Sequence, residues 1–255
     1  MRRRPDCDMA AAATSALSLR VASDYRRLGE QAAEFIVAQL KQEPDLLLCV
    51  SAGGTPTQTY QCLAARRARQ PQLFDRLRVI QIDEWAGLPR HSEGTCEADL
   101  RQKVLSPLGI AAGRFAGWRS NVANPEAECR RISQWLAANG PIDICILGLG
   151  LNGHIAMNEP GSCFMPFAHV AKLARGSRHH PMLKGLRRKP TCGLTLGLGE
   201  ILQSRKVLLL VSGKKKRAVL RRLMNPEITT HFPASFLWLH PDATVLCDQE
   251  AIEGF

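Results

Sequence analysis

The stretch that most constrains the fold is an apolar run at residues 142–147, which ends in a cluster of closely spaced glycines. Continuous apolar runs of this kind are typical of a central strand in a parallel sheet that is covered on both faces. The glycines tolerate positive φ and let backbone amides approach a bound group. Two ionisable side chains, His154 and Glu159, follow them. Because α/β sheets bind ligands beyond the carboxyl ends of their strands, this stretch predicts a ligand site.

Other apolar runs alternate with helical patterns along the chain. The sequence predicts strands at 46–50, 77–82 and 207–211, and helices at 57–69, 92–105 and 124–138. This alternation predicts βαβ units around a parallel sheet. We therefore expect an α/β fold, a single domain with three αβα layers and a mostly parallel, Rossmann-like sheet. Residues 19–255 are predicted to form this catalytic domain, and residues 1–18 a poorly ordered leader.

Charge and composition narrow the class of partner. The formal net charge is +11, which favours an anionic ligand. Aromatic residues are only 5% of the chain, so surfaces for stacking nucleic-acid bases are scarce. We therefore expect a small anion such as a sugar phosphate, and neither nucleic acid nor a membrane, because no apolar run is long enough to span a bilayer. The nine cysteines lack metal-ligand spacing and favour a reducing compartment, the cytoplasm.

A glycine-rich turn follows the first predicted strand and precedes a predicted helix. Such a turn presents backbone amides to a phosphate, although a purely structural turn is the alternative. The sequence is not a Walker loop, since no Gly-Lys-Ser/Thr follows. The candidate phosphate-binding residues of this turn are Ser51, Ala52, Gly53, Gly54 and Thr55.

Two adjacent carboxylates, Asp83 and Glu84, end the strand predicted at 77–82. Packing explains such a pair poorly, and burial raises the pKa of a carboxyl group toward the range of a general base at neutral pH.

Basic side chains are concentrated in two further segments. Residues 162–191 form either a cover over an anionic ligand or a solvated surface loop. Lys216 lies at the start of a predicted helix, where a cation opposes the helix dipole unless an anion binds there.

Together, residues 51–56, 82–85, 148–160 and 213–216 resemble the glucosamine-6-phosphate deaminase/isomerase family, and the similarity extends over about residues 20–250. Residues 151–154, 158–161 and 233–240 are most similar to its galactosamine-6-phosphate isomerase branch. The resemblance implies a cofactor-free and metal-free reaction. It converts galactosamine 6-phosphate or glucosamine 6-phosphate, with water, to tagatose or fructose 6-phosphate and ammonia. Homo-oligomer formation is left open.

The resemblance also implies residue roles. Asp83 would carry the proton from C2 to C1 of the sugar, beside Glu84 of the family's acidic pair. His154 would open the sugar ring, with Glu159 setting its protonation. The phosphate would be bound by the turn at 51–55, by Gly153 and by Lys216.

The chain departs from the family pattern at three places. Asn152 occupies the position of an aspartate, so the relay through His154 lacks one charge. His169 lies where an arginine is expected. A second phosphate-binding arginine falls near Leu183, and we hypothesise that Lys184 replaces it, since an anion site needs cations.

Two alternatives remain. A 6-phosphogluconolactonase shares the fold and the glycine-rich His154 loop, but those enzymes lack the Asn158-Glu159-Pro160 run and have no use for a proton carrier at Asp83. A non-catalytic sugar-phosphate-sensing domain can share the architecture as well. No helix-turn-helix pattern precedes the domain, which disfavours that alternative.

Overall fold

The computed structural model describes residues 17–161 and 163–254, and within these ranges strands and helices alternate. The strands are β1 (Ser18–Ala22), β2 (Leu47–Val50), β3 (Arg78–Gln81), β4 (Asp83–Trp85), β5 (Phe115–Ala116), β6 (Ile144–Gly148), β7 (His169–Lys172), β8 (Cys192–Thr195), β9 (Lys206–Val211) and β10 (Ala243–Asp248). The α-helices are α1 (Tyr25–Gln42), α2 (Thr57–Arg69), α3 (Cys96–Leu100), α4 (Pro125–Asn139), α5 (Leu198–Leu202), α6 (Arg217–Leu223) and α7 (Gln249–Ile252). One π-helical turn, Arg101–Leu105, extends α3, and several short 3-10 turns complete the connections.

The central strand β6 places its side chains alternately in two hydrophobic clusters. Cys145 and Leu147 pack with residues of α4 and α6, whereas Ile144 and Ile146 pack with residues of α1 and α2. A strand that is apolar on both faces needs helices on both faces, which is why the run at 142–147 lacks polar alternation. The predicted three-layer α/β domain is confirmed.

The large sheet reverses its winding next to β6. Within the described residues it has seven strands, in the order β1-β10-β9-β6-β2-β3-β5, and all its pairs are parallel. The chain adds β3 and β5 on one side of β2, and β9, β10 and β1 on the far side of β6. The connections that follow β2 and β6 therefore run in opposite directions. Such a topological switch point is where open α/β sheets bind ligands.

A second, antiparallel sheet positions Asp83. In the part of the chain that the structure describes it consists of β4, β8 and β7, with Asp83 paired to Thr195 and His169 paired to the same Thr195. The chain passes from β3 to β4 with only Ile82 between them. The strand predicted at 77–82 therefore ends earlier than expected, and the acidic pair belongs to a new strand.

The amino-terminal boundary differs from the prediction by two residues. Leu17 is buried and β1 begins at Ser18, where it pairs with Thr244 of β10. The predicted leader at 1–18 therefore overlaps the folded chain at buried Leu17 and at Ser18, the first residue of β1, and its residues 1–16 lie outside the described residues. Across the described residues, no helix combines the length and the apolar character that crossing a membrane requires.

Candidate active site

A cavity of about 670 Å³ opens at the carboxyl edge of the large sheet. The loops after β2, β6 and β9 contribute to its wall, together with the start of β4 and residues 174–182, which we call the cover segment. The predicted site residues that line the cavity are Ser51, Ala52, Gly53, Gly54, Thr55, Asp83, Asn152, His154, Glu159 and Lys216. The structure thus brings the predicted base, the predicted ring-opening pair and the predicted phosphate turn into one space.

The turn after β2 is held in place by side chains from α1 and from α3 with its π-helical extension. Gly53 has a φ of +106°, a conformation that glycine adopts without strain. Its amide donates to Asp99 Oδ2 at 2.9 Å, and its carbonyl accepts from Lys103 Nζ at 3.1 Å. The hydroxyl of Tyr25 donates to the carbonyl of Gly54 at 2.7 Å. Because the protein itself supplies all of these bonds, the turn is preorganised.

Polar atoms of the same turn remain available to a ligand. The first turn of α2 has no side-chain cap, since Pro56 occupies the N-cap position. Ser51 Oγ is buried and has no hydrogen-bond partner among the described residues. An unsatisfied hydroxyl beside the positive end of a helix suits a bound anion.

Asp83 is buried at the cavity wall, with 9% of its surface exposed. Burial raises the pKa of its carboxyl group to about 7, the neighbouring charge of Glu84 raises it further, and a hydrogen bond with the Cys96 side chain opposes the shift. A carboxylate with a pKa near neutrality can both accept and return a proton under ordinary conditions.

Glu84 lies outside the cavity lining and is fully buried. Its Oε1 accepts from the amides of Trp85 and Cys96, both at 2.8 Å. Its Oε2 accepts from the amide of Glu97 at 2.8 Å and from Gln81 Nε2 at 3.1 Å. Burial raises the pKa of Glu84, and these four donors oppose that rise. Glu84 thus fastens the start of α3 to β4, and its position supports a structural role beside Asp83.

His154 and Glu159 lie side by side on the loop after β6. His154 Nδ1 lies 3.4 Å from Glu159 Oε2. Asn152 Nδ2 donates to the same Oε2 at 2.9 Å, and the amide of Ala174 donates to Oε1 at 3.2 Å. Burial alone would raise the pKa of Glu159, but His154, Ser177 and Asn152 outweigh it and lower the pKa to about 2. Glu159 is therefore ionised beside His154 at neutral pH.

A glycine makes room for the His154 ring. A Cβ atom on Gly150 would overlap the imidazole, and the amide of Gly150 donates to the carbonyl of His154 at 2.9 Å. Asn152 adds a second local bond, because its Oδ1 accepts from the amide of His154 at 3.2 Å. Asn152 therefore supports the pair through hydrogen bonds without adding a charge.

Lys216 reaches the cavity from the 3-10 turn that follows β9. Its Nζ donates to the carbonyl of Leu149, and burial lowers the pKa of its ammonium group. Lys214 and Lys215, in the same turn, are exposed and lie outside the lining of this cavity. Of the basic run at 214–217, the structure directs Lys216 to the predicted phosphate end.

Three other predicted binding residues lie outside the lining. Gly153 has a φ of +88°, and a Cβ atom there would overlap the ring of Phe232, so close packing explains the glycine. His169 lies in β7 with its Nδ1 3.0 Å from the carbonyl of Phe167, and burial lowers its pKa. Lys184 is exposed beyond the cover segment. The structure therefore does not bring these residues to the predicted substrate.

The sequence did not show which side chains of the cover segment line the cavity. This segment lines the cavity through residues that include Ser177, His179 and His180, which favours the predicted cover over a solvated loop. Trp85 also lines the cavity, and its ring centroid lies 5.8 Å from that of His180. The only sequence signal was a pair of histidines in a basic stretch, because short 3-10 turns have no hydrophobic period that shows which side chains face inward.

The sequence profile of a family described as "Glucosamine-6-phosphate isomerases/6-phosphogluconolactonase" matches residues 22–246. The chain belongs to this family. The predicted family is thereby confirmed, and with it the prediction of an enzyme.

Individual members of the family are similar to the chain over most of their length. A protein of Escherichia coli (strain K12) with the provisional name deaminase AgaI is 39% identical over 223 residues, 88% of each chain. A glucosamine-6-phosphate deaminase of Bacillus pumilus is 36% identical over 232 residues, which are 89% of this chain and 95% of the relative.

Solved structures of the family agree with the fold. A monomeric glucosamine-6-phosphate deaminase superposes with a TM-score of 0.86 at 34% identity, over 92% of this chain and 98% of the other. A 6-phosphogluconolactonase of Leishmania guyanensis gives a TM-score of 0.76 at 20% identity, over 94% and 98%. The second comparison is informative about the fold alone.

Proposed function

We propose that this chain is a hexosamine-6-phosphate deaminase/isomerase. It converts galactosamine 6-phosphate, or glucosamine 6-phosphate, with water to tagatose or fructose 6-phosphate and ammonia. One observation carries the proposal: Asp83, with a pKa of about 7, shares a cavity with the His154–Glu159 pair and the glycine turn at 51–55. The deaminase relatives support the reaction class, and the motifs at 151–154 and 233–240 support the galacto sugar. The cysteine usage supports a cytoplasmic location.

The chemistry follows from where the protons must move. Ring opening removes a proton from the C1 hydroxyl and delivers one to the ring oxygen, and His154 beside ionised Glu159 suits both transfers. The Asp83 carboxylate then takes the proton from C2, and the C–H electron pair forms the C1–C2 double bond of an enolamine. The π electrons of the C1 carbonyl move to its oxygen, which takes up a proton from water. Asp83 returns the proton to C1, which leaves an iminium at C2. Water adds to C2, ammonia leaves, and a ketone remains.

The phosphate end supplies positioning. The turn at 51–55 offers amides and the Ser51 hydroxyl, and Lys216 offers a positive charge on the other wall. Binding the non-reacting phosphate holds C2 of the sugar against Asp83, so that binding energy is used to lower the barrier of the proton transfer.

The test is an ammonia-release assay with both hexosamine 6-phosphates, run beside a hydrolysis assay with 6-phosphogluconolactone. The proposal expects ammonia from at least one amino sugar, faster from the galacto sugar, and its loss in Asp83→Asn. Lactone hydrolysis without ammonia release would overturn it in favour of the lactonase. Full turnover by Asp83→Asn would overturn the assignment of the base.

A further inference from the structure

His180 lies at the phosphate end of the cavity, directly over the glycine turn. A Cβ atom built on Gly53 would lie 3.8 Å from Cε1 and 3.9 Å from Nε2 of His180. The imidazole also packs against Trp85, with an angle of 43° between the ring planes. The packing against Trp85 therefore holds the ring beside the glycine turn, where a phosphate on the turn would meet it.

The hydrogen bonds of the two adjacent histidines select opposite tautomers. His180 Nδ1 accepts from the amide of Met182 at 3.3 Å, so in the neutral ring the proton is on Nε2. His179 Nδ1 lies 2.8 Å from the carbonyl of Arg175, which only accepts, so the proton is on Nδ1. Neutral His180 thus offers an N–H donor at Nε2, whereas Nε2 of neutral His179 is an acceptor.

His180 also lies among groups that suit an anion. The charged or titratable groups that influence it are His154, Asp99, Lys216 and Lys103. Burial lowers the pKa of His180, and the nearby His154 lowers it further, so the ring is neutral and keeps its fixed tautomer. Asp99 is already engaged by the amide of Gly53 and by Lys103, and so does not occupy the His180 donor.

Other basic groups near the cover segment do not reach this point. Leu183, near the position expected for an arginine, is fully buried in a small cluster that includes Trp85. Lys184 is exposed, and the neighbouring basic residues Arg175, Arg187, Arg188 and Lys189 are exposed as well. Among the described residues, the titratable side chains that the cover segment contributes to the cavity lining are therefore the two histidines, His179 and His180.

We propose that His180 binds the phosphate group of the substrate, donating its Nε2–H to a phosphate oxygen seated on the Gly53 turn. It would supply the contact that the family pattern assigns to an arginine. The inference rests on the proposed function for the identity of the ligand, a sugar phosphate. The position of the His180 ring beside the Gly53 turn does not depend on that function.

The test measures binding without turnover. The Asp83→Asn protein serves as the background, and calorimetry gives its Kd for galactosamine 6-phosphate, glucosamine 6-phosphate and unphosphorylated galactosamine. His180→Phe keeps an aromatic ring against Trp85 and removes the donor, so the Kd for a sugar phosphate should rise about 10- to 100-fold, the effect of one hydrogen bond to a charged group. His180→Gln restores an N–H donor and should recover part of the affinity. Exposed His231→Ala is the matched control and should bind like the background.

The readouts separate this proposal from the proposed function. If ammonia is released by the parent enzyme but His180→Phe binds sugar phosphates as the background does, the role of His180 is overturned. That role is also overturned if His179→Ala weakens binding as much as His180→Phe does, or if His180→Phe weakens the unphosphorylated sugar equally. If sugar phosphate binding depends on His180 but no ammonia is released, the proposed function fails and the role of His180 stands. Thermal melting confirms that each variant is folded.

Discussion

The two sides of the cavity are built by different means. On the strand side, the turn at 51–56, Asp83 and the loop after β6 extend from hydrogen-bonded strands, and side chains from α3 and its π-helical extension fasten Gly53. On the cover side, residues 174–182 fold as short 3-10 turns whose bonds are mostly local, such as His180 N to Ser177 O at 3.1 Å. The proposed proton transfers therefore use groups that the sheets hold in place, and the cover adds a binding contact through local turns.

Asp83→Asn should have the largest effect on activity, because it removes the proposed proton carrier from the strand side. We expect kcat for ammonia release to fall about 1000-fold or more, within the range for a general base. In the parent enzyme, kcat should rise with pH through about 7, since the carboxylate must be ionised to accept the C2 proton. The check is a pH–rate profile. An unchanged pH–rate profile in Asp83→Asn would show that Asp83 does not carry the proton.

The same substitution should raise stability above neutral pH. The pKa of Asp83 is about 7 in the folded chain and near 4 in the unfolded chain, so the folded state binds the proton more tightly. The free energy of unfolding therefore falls as pH rises from about 4 to 7. Asparagine does not ionise, so Asp83→Asn should be roughly 2–4 kcal/mol more stable at pH 8, at 1.36 kcal/mol per pKa unit, and equal below pH 4.

Glu84→Gln is the matched control for denaturant unfolding. The glutamine amide would place N–H groups opposite the backbone donors that now bond the carboxylate. The free energy of unfolding of Glu84→Gln should therefore fall by about 2 kcal/mol. A gain in stability for both variants would contradict the different roles of Asp83 and Glu84.

His154→Gln, on the strand side, should slow ring opening without lowering the affinity for the phosphate group of the substrate. We expect kcat to fall about 100-fold, because the side chain can no longer shuttle a proton. The affinity for an open-chain amino-hexitol 6-phosphate should stay within about twofold, measured by calorimetry, since no ring has to open. A parallel loss of that affinity would show that His154 binds substrate instead.

Gly53→Ala tests the contact between the two sides. The φ of +106° is strained for alanine, and the new methyl group would lie in van der Waals contact with His180. We expect about 1–3 kcal/mol of lost stability and a weaker sugar phosphate complex. Gly54→Ala is the control, because a Cβ atom there meets nothing within 4 Å. Equal losses in both variants would mean that the turn does not depend on its fit to His180.

Lys184→Ala should have the smallest effect. Lys184 is exposed and outside the cavity lining, so its replacement should change the KM for the sugar phosphate by less than about twofold. A tenfold rise in KM would restore the hypothesis that Lys184 replaces the missing arginine, and would place the phosphate farther along the cover than the turn at 51–55.

Much of the fold could be predicted because it follows from local patterns. The helix predicted at 57–69 matches α2, and Asn124, Pro125 and Gly140 mark the ends of α4. The small antiparallel sheet could not be predicted. Its strand β4 is three residues long and acidic, and it becomes a strand only through pairing with β8. Distant pairing leaves no periodicity in the segment itself.

The predicted site divides in the same way. Asp83, His154 and Lys216 lie within six residues of the carboxyl ends of β3, β6 and β9, so parallel strands carry them to one edge of the sheet. Glu84 points away from the cavity because a one-residue step along β4 turns its side chain to the opposite face, toward four buried donors. His180 was missed because its direction depends on Trp85 and on the Met182 amide, contacts that spacing does not encode.

The pairing of Asp83 with Thr195 has a consequence for synthesis of the chain on the ribosome. About 110 residues separate the two partners, so the ladder that aims the carboxylate cannot close until most of the polypeptide has emerged. A nascent chain that ends just after β7 would already carry Asp83, His154 and Glu159, yet its aspartate would have no β8 to hold it. Catalytic competence should therefore arrive late and abruptly during translation.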